Sequence, residues 1–276
     1  MQVHIPWLDR LFCLYAKTTD HPAKIRILNW IKRLFRIQSV IAKTPFGLMR
    51  LGTEDYVQMQ IIVAGGYELE TLKHVSKLLQ QGDCFLDIGA NVGQYALAAA
   101  ACIGTEGKVI AVEPNPAICS DLLFNVSLNR QLAKIHVVLA AADEKESLLG
   151  FNVPPPDNRG MSRESSVADE YEFLVAGIRL AKILERLSIS RVDVVKIDVE
   201  GSELRALRGL LSDSVFTPKH IVFEFLPDHF SYGSSPVDLL SFLESHGYEI
   251  LQITGDTYKY GDSIHEENLW ARKRTT

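Results

Sequence analysis

The sequence predicts an α/β fold built on a mostly parallel seven-stranded sheet, with helices on both faces and a helical N-terminal extension. Three observations carry that expectation. Short apolar runs at 83–88, 108–113, 135–140, 192–197 and 219–225 alternate with amphipathic stretches at 92–102, 116–129, 201–211 and 236–246. Continuous rather than alternating apolar runs mark strands buried on both faces, as in a parallel sheet. Glycines cluster at the first strand-to-helix junction, and acidic residues close the strands on one side.

Taken in chain order, residues 6–37 show helical periodicity, with Trp7, Leu8, Leu11, Phe12 and Leu14, then Ile25, Ile27, Leu28, Ile31, Leu34 and Phe35 among basic residues. We read them as two amphipathic helices that pack on the domain and solvate a Lys/Arg face; a surface for a membrane or an acidic partner is the alternative. Weak alternation around Pro45-Phe46-Gly47 predicts a hairpin over 39–52, and helices follow near 54–63 and 68–80, broken by Gly65-Gly66. The Pro-, Asp-, Gly- and Ser-rich stretch 150–170 reads as a loop. Strands near 248–253 and 266–273 form an antiparallel hairpin at the sheet edge. These elements divide into an extension and hairpin (1–60) and a Rossmann-like domain (61–276).

Composition narrows the function. The 276 residues are 47% hydrophobic and 23% charged, with a net charge of −5, so the chain as a whole has no nucleic-acid footprint. The charge is uneven: residues 1–50 hold nine Lys/Arg against two Asp, a local +7 that leaves −12 for the rest. Four cysteines lack metal-finger or CxxC spacing, which suits small core residues in a reducing, cytoplasmic compartment. No apolar run reaches the ~20 residues of a transmembrane helix, and the N-terminus does not read as a signal peptide. The extension also leaves homo-oligomerisation open.

The segment Cys84–Tyr95, CFLDIGANVGQY, runs an apolar strand into Asp87 and a turn made by Gly89, Ala90, Asn91 and Gly93 before a helix opened by Gln94 and Tyr95. Glycine lets the backbone approach a ligand, and the helix N-terminus offers N–H groups to a carboxylate. Asp87 is placed to meet an ammonium. Glu113, closing the second strand ahead of Pro114 and Asn115, is placed to accept both hydroxyls of a ribose. Asn115 also suits the N-cap of the next helix. Ala142 and Asp143 follow the third strand, where a short acid can meet the exocyclic amine of adenine. Asn91 replaces the glycine that brings a backbone against a pyrophosphate, which argues against a dinucleotide. The three stations fit S-adenosylmethionine.

At the other end, Lys196 and Asp198 close the strand 192–197, and Glu224 closes 219–225, followed by Asp228 and His229. Asp198 is the first candidate for a general base, Lys196 for tuning its charge, and Glu224 and His229 for further catalytic groups. Glu200 is placed into or beside the same cleft as Asp198, with capping of the helix after it as the alternative. These acids do not have diagnostic metal-ligand spacing, and no metal is expected. The segment after Ile197 is Asp-Val-Glu-Gly, not the [DN]-P-P-[YF] of many nitrogen methyltransferases, which favours an oxygen nucleophile.

On these motifs the chain resembles the FkbM-type methyltransferases: GGYELETLKHVSKLLQQGDCFLDIGANVGQYALAAA (65–100), VIAVEPNP (109–116), AADEKESLLGF (141–151), KIDVEGSELRALRGL (196–210), IVFEF (221–225) and NLWARK (268–273). The resemblance covers roughly 40–273 and implies a class I methyltransferase fold with S-adenosylmethionine as donor. It implies O-methylation of a hydroxyl on a small molecule such as a polyketide or sugar. It also implies a cofactor site of Asp87, Gly89, Asn91, Gly93, Glu113 and Asp143, with Asp198 at the reaction centre and 158–162 bordering it. Ala181-Lys182 departs from the family pattern, where an acid is expected. A noncatalytic adenosyl-ligand binder acting as a scaffold is the competing reading.

Overall fold

The computed structural model describes residues 6–19, 21, 23–152, 157, 171–212, 215–227, 235–264 and 267–274. Its N-terminal part is α1 (Pro6–Ala16), α2 (Lys24–Phe35), the antiparallel hairpin β1 (Ser39–Thr44) and β2 (Gly47–Gly52), then α3 (Tyr56–Ala64) and α4 (Leu69–Leu78). The Asp55 side chain caps α3 by accepting from the Gln58 N–H. Phe12, Leu28, Val40, Met49, Leu51 and Ile61 share a core with Leu97, Ala98 and Ile118 of the main domain. Two asparagines complete the docking. Asn125 accepts from the Arg50 N–H (2.7 Å) and donates to the Val92 carbonyl (2.9 Å). Asn129 accepts from the Leu48 N–H (2.9 Å) and donates to the Leu48 carbonyl (2.7 Å). The hairpin's outer backbone is thereby satisfied by side chains, where each unmet group would cost about 1–3 kcal/mol.

The main domain runs β3 (Cys84–Ile88), α5 (Gln94–Ile103), β4 (Lys108–Glu113), α6 (Pro116–Ser127), β5 (Lys134–Leu139), β6 (Ala141–Ala142), β7 (Ser147–Phe151), β8 (Phe173–Ile178) and α7 (Leu180–Arg186). It continues with β9 (Val194–Ile197), α8 (Glu203–Leu211), β10 (His220–Glu224), α9 (Pro236–Ser245), β11 (Tyr248–Gln252) and β12 (Asn268–Lys273). The seven-stranded sheet has the order β11-β12-β10-β9-β3-β4-β5, parallel except where β12 pairs with β10 and β11. The predicted C-terminal antiparallel pair is present, with β12 inserted between β10 and β11 and β11 forming the edge.

Strand parity sorts the core into two layers. Leu86, Ile110, Val195 and Ile221 face α7, α8 and α9. Phe85, Val109, Val194 and Val222 face α4, α5 and α6. The parallel registers Leu86↔Ile110, Leu86↔Val195 and Ile221↔Val195 keep each row in line. Cys13, Cys84 and Cys119 are buried free thiols, in keeping with a core role.

The predicted elements recur with end shifts of a few residues, and the shifts have local causes. α5 starts at Gln94 because Gly93 has φ +94°. α8 starts at Glu203, two residues late, because Glu200 adopts a left-handed φ of +53°. Flanking the predicted 150–170 loop, β7 and β8 pair antiparallel and β6 joins β8, a second small sheet that the sequence reading did not contain. Residues 153–156 and 158–170 lie outside the described residues.

Candidate active site and cofactor pocket

The carboxyl ends of β3, β4, β9 and β10 open onto one cavity of about 300 Å³. One end is formed by the glycine turn. A Cβ at Gly89 (φ +78°) would overlap the carbonyl oxygen of Asp198, so only glycine lets the β3 turn lie against the β9 loop. The Glu113 carboxylate spans this turn, accepting the Asn91 N–H at Oε2 (2.9 Å) and the Asn115 N–H at Oε1 (2.8 Å). Burial pushes its carboxyl up to about 7 against those two N–H groups. Each oxygen keeps a second lone pair for a ligand. Asn115 caps α6 through the Ala117 and Ile118 N–H groups.

Asp87 is buried behind the turn, 1% exposed, and is not on the cavity wall. Its Oδ2 has no hydrogen-bond partner, and burial raises its carboxyl to about 7. Ala90, Asn91, Gln94, Tyr95, Pro114, Ala141 and Ala142 line the cavity. Asp143 does not: it is fully buried and gripped by Arg205 (Nη2–Oδ2 2.8 Å, Nε–Oδ1 3.0 Å), while the Arg205 side chain itself reaches the wall.

The other end gathers acids around one cation. Lys196 is fully buried, its Nζ 3.4 Å from Asp198 Oδ2 and 5.3 Å from the Tyr95 ring centroid. Burial works against its charge, but Asp198, Glu68, Glu224 and Asp87 outweigh it and hold the ammonium protonated. Asp198, its side chain 30% exposed, faces the cavity, as do Glu68 and Glu224. Burial, reinforced by Asp198, pushes the Glu224 carboxyl up to about 9. Glu68 accepts from the Tyr95 hydroxyl (2.8 Å) and the Asn268 amide (3.0 Å). Glu200 lines the cavity as expected, and the capping alternative falls to Glu203, whose Oε1 accepts from the Val199 and Gly201 N–H groups (both 3.2 Å). Asp228 and His229 lie outside the described residues. Among the described residues no His/Cys/Asp/Glu group forms a metal cluster.

Tyr67, Glu68, Leu149, Phe151, Arg205 and Glu267 are wall residues that sequence reasoning did not select. For Tyr67 and Glu68 the signal lay in the Gly65-Gly66 break: it ends α3 and leaves both in a junction that Gln94 ties to the glycine turn. Gln94 accepts the Tyr67 N–H (2.6 Å) and donates to the Tyr67 carbonyl (2.9 Å).

The sequence profile described as the Methyltransferase FkbM domain matches residues 87–250, from the Asp87 turn through to β11. The chain belongs to the FkbM methyltransferase family. Among characterised relatives, this FkbM chain is similar to the hexuronic acid methyltransferase AglP of Haloferax volcanii, at 26% identity over 144 residues. That match covers 52% of this chain and 56% of AglP. It is also similar to methyltransferase sdnD of Sordaria araneosa, at 25% identity over 171 residues, 50% of this chain and 64% of sdnD. The similarity thus spans under two thirds of either relative. Among solved structures, Aeropyrum pernix fibrillarin with bound S-adenosyl-L-methionine covers 70% of this chain and 67% of its own, at 19% identity and a TM-score of 0.40.

The sheet, with its antiparallel β12 between β10 and β11, is the Rossmann-like class I methyltransferase arrangement of the FkbM family. S-adenosylmethionine is the cofactor, and the residues present fit it. Glu113 offers free lone pairs on the wall, Gly89 lets the turn close against the Asp198 backbone so that both line one cavity, and Asp87 holds an unpartnered buried oxygen beneath.

Proposed function

We propose that the chain methylates a hydroxyl oxygen of a small polyhydroxylated acceptor. The carrying observation is the position of Asp198, partly exposed in the same cavity as Glu113 and braced by the buried Lys196. When bound, S-adenosylmethionine supplies an electrophilic methyl group on a sulfonium. Glu113 and the glycine turn hold the adenosyl part at one end of the cavity. Asp198 orients the acceptor hydroxyl and takes its proton as the oxygen–carbon bond forms and the carbon–sulfur bond breaks. Glu224 retains its own proton at neutral pH and so donates a hydrogen bond to a second acceptor oxygen. Glu68, Glu200 and Glu267 share the wall with Asp198. That acidity supports a neutral sugar or polyketide hydroxyl over a carboxylated acceptor such as the hexuronic acid in the name of AglP.

Calorimetry with S-adenosylmethionine and S-adenosylhomocysteine tests the donor end. Glu113→Ala should weaken binding by about 2–4 kcal/mol, tens- to several-hundred-fold. Labelled methyl transfer to neutral sugars and to uronic acids tests the acceptor end. Asp198→Asn should leave cofactor affinity within a fewfold and lower turnover on the order of 100- to 10,000-fold. A folded protein that binds neither ligand would sink this reading, and binding without methyl transfer to either acceptor class would favour the scaffold.

A further inference from the structure

Helices α1 and α2 each bury one apolar face and expose another. In α1 the buried side is Leu8, Phe12, Cys13 and Ala16, and the opposite side shows Trp7, Leu11 and Leu14 to solvent. In α2, Leu28 is buried while Ile27, Trp30 and Leu34 form an exposed stripe, with Ile25 and Phe35 also out. Trp7 and Trp30 are 60% and 62% exposed. A helix that only covers a domain solvates polar residues on its outer side; these two solvate indoles and leucines. Eight large apolar side chains exposed within thirty residues form the densest such group among the described residues.

Basic residues flank both stripes. Arg10 and Lys17 border the α1 stripe, Arg26 and Arg33 the α2 stripe, and Arg36 follows. All five are exposed. We infer that α1 and α2 form a docking face for an anionic lipid bilayer, lying in the headgroup plane with Trp7, Leu11, Leu14, Trp30 and Leu34 at the acyl boundary. Charge selects this occupant. The first fifty residues sum to +7 and the remainder to −12. An anionic surface attracts the extension and repels the body, which orients the chain as well as holding it. A second copy docked through the same face would set these five cations against their own counterparts. Tryptophan is the side chain most at home at a membrane interface, and Lys/Arg beside it meet the phosphates. No described helix is long and apolar enough to cross a membrane, so the contact is peripheral.

The test is co-sedimentation of the full chain with phosphatidylcholine vesicles, with and without phosphatidylserine. Binding is expected to the anionic vesicles and to weaken about tenfold or more without phosphatidylserine or in high salt. Trp270 is 8% exposed, so a blue shift of emission on binding reports Trp7 and Trp30. Trp7→Glu with Trp30→Glu should abolish sedimentation while circular dichroism and melting temperature hold. Arg26→Glu with Arg33→Glu should lower it at low salt only. No binding to phosphatidylserine vesicles, or equal binding by the tryptophan double variant, overturns the inference. A dimer in light scattering that the double variant dissociates, without vesicle binding, assigns the face to a second copy and overturns it too.

Discussion

At the glycine-turn end of the pocket, Glu113 is held by backbone N–H groups from Asn91 and Asn115. At the β9–β10 end, Asp198, Glu68 and Glu224 gather around the buried ammonium of Lys196. The first arrangement fixes a carboxylate by chain geometry, which neither salt nor a neighbour's protonation changes. The second fixes acids by one another's charge, so each depends on the rest. A donor site that always takes the same ligand suits the first; a site that must move a proton suits the second.

The largest break in this contrast is Lys196→Met. It removes the buried ammonium beside Asp198, and should cost about 3–5 kcal/mol in urea unfolding, since that carboxylate loses its counter-charge. An unchanged midpoint would show that the acids do not rely on it. Glu113→Ala should cost less, about 1–3 kcal/mol, by orphaning two N–H groups, and that loss should not vary with salt. The smallest and sharpest effect is in pH. Between the ordinary 4.5 and about 9 the folded chain keeps a proton on Glu224 that the unfolded chain has released. This group's contribution to stability therefore falls as pH rises through that window. Glu224→Gln, which copies the protonated state, should flatten the pH dependence of the urea midpoint between pH 6 and 9. An equal slope in both proteins would place Glu224's proton elsewhere.

The seven sheet strands were legible because each is a short apolar run bounded by turn residues, and the central ones, β3, β4 and β9, are buried on both faces. The β6–β8 sheet was not, because β7 and β8 alternate buried with exposed positions and flank a stretch whose Pro, Asp and Ser content dominates the local signal. At the site, Gly89, Glu113 and Asp198 stand at strand ends, where spacing alone locates them. Asp143 is also at a strand end, yet its side chain turns to Arg205, sixty-two residues on, a partner that no local pattern announces. Tyr67 and Glu68 were missed for a related reason. Their role is set by Gln94, Tyr95 and Asn268, far along the chain. The amphipathic reading of 6–37 found the helices, but periodicity cannot separate an apolar face that is covered from one that is not.

Glu68 takes one of its hydrogen bonds from Asn268, two hundred residues later, and Asn268 opens the strand wedged between β10 and β11. During synthesis, the residues of the glycine turn and Glu113 leave the ribosome well before Asn268. The wall around Glu68 must wait for β12, so this end of the pocket is completed only when nearly the whole domain has been made.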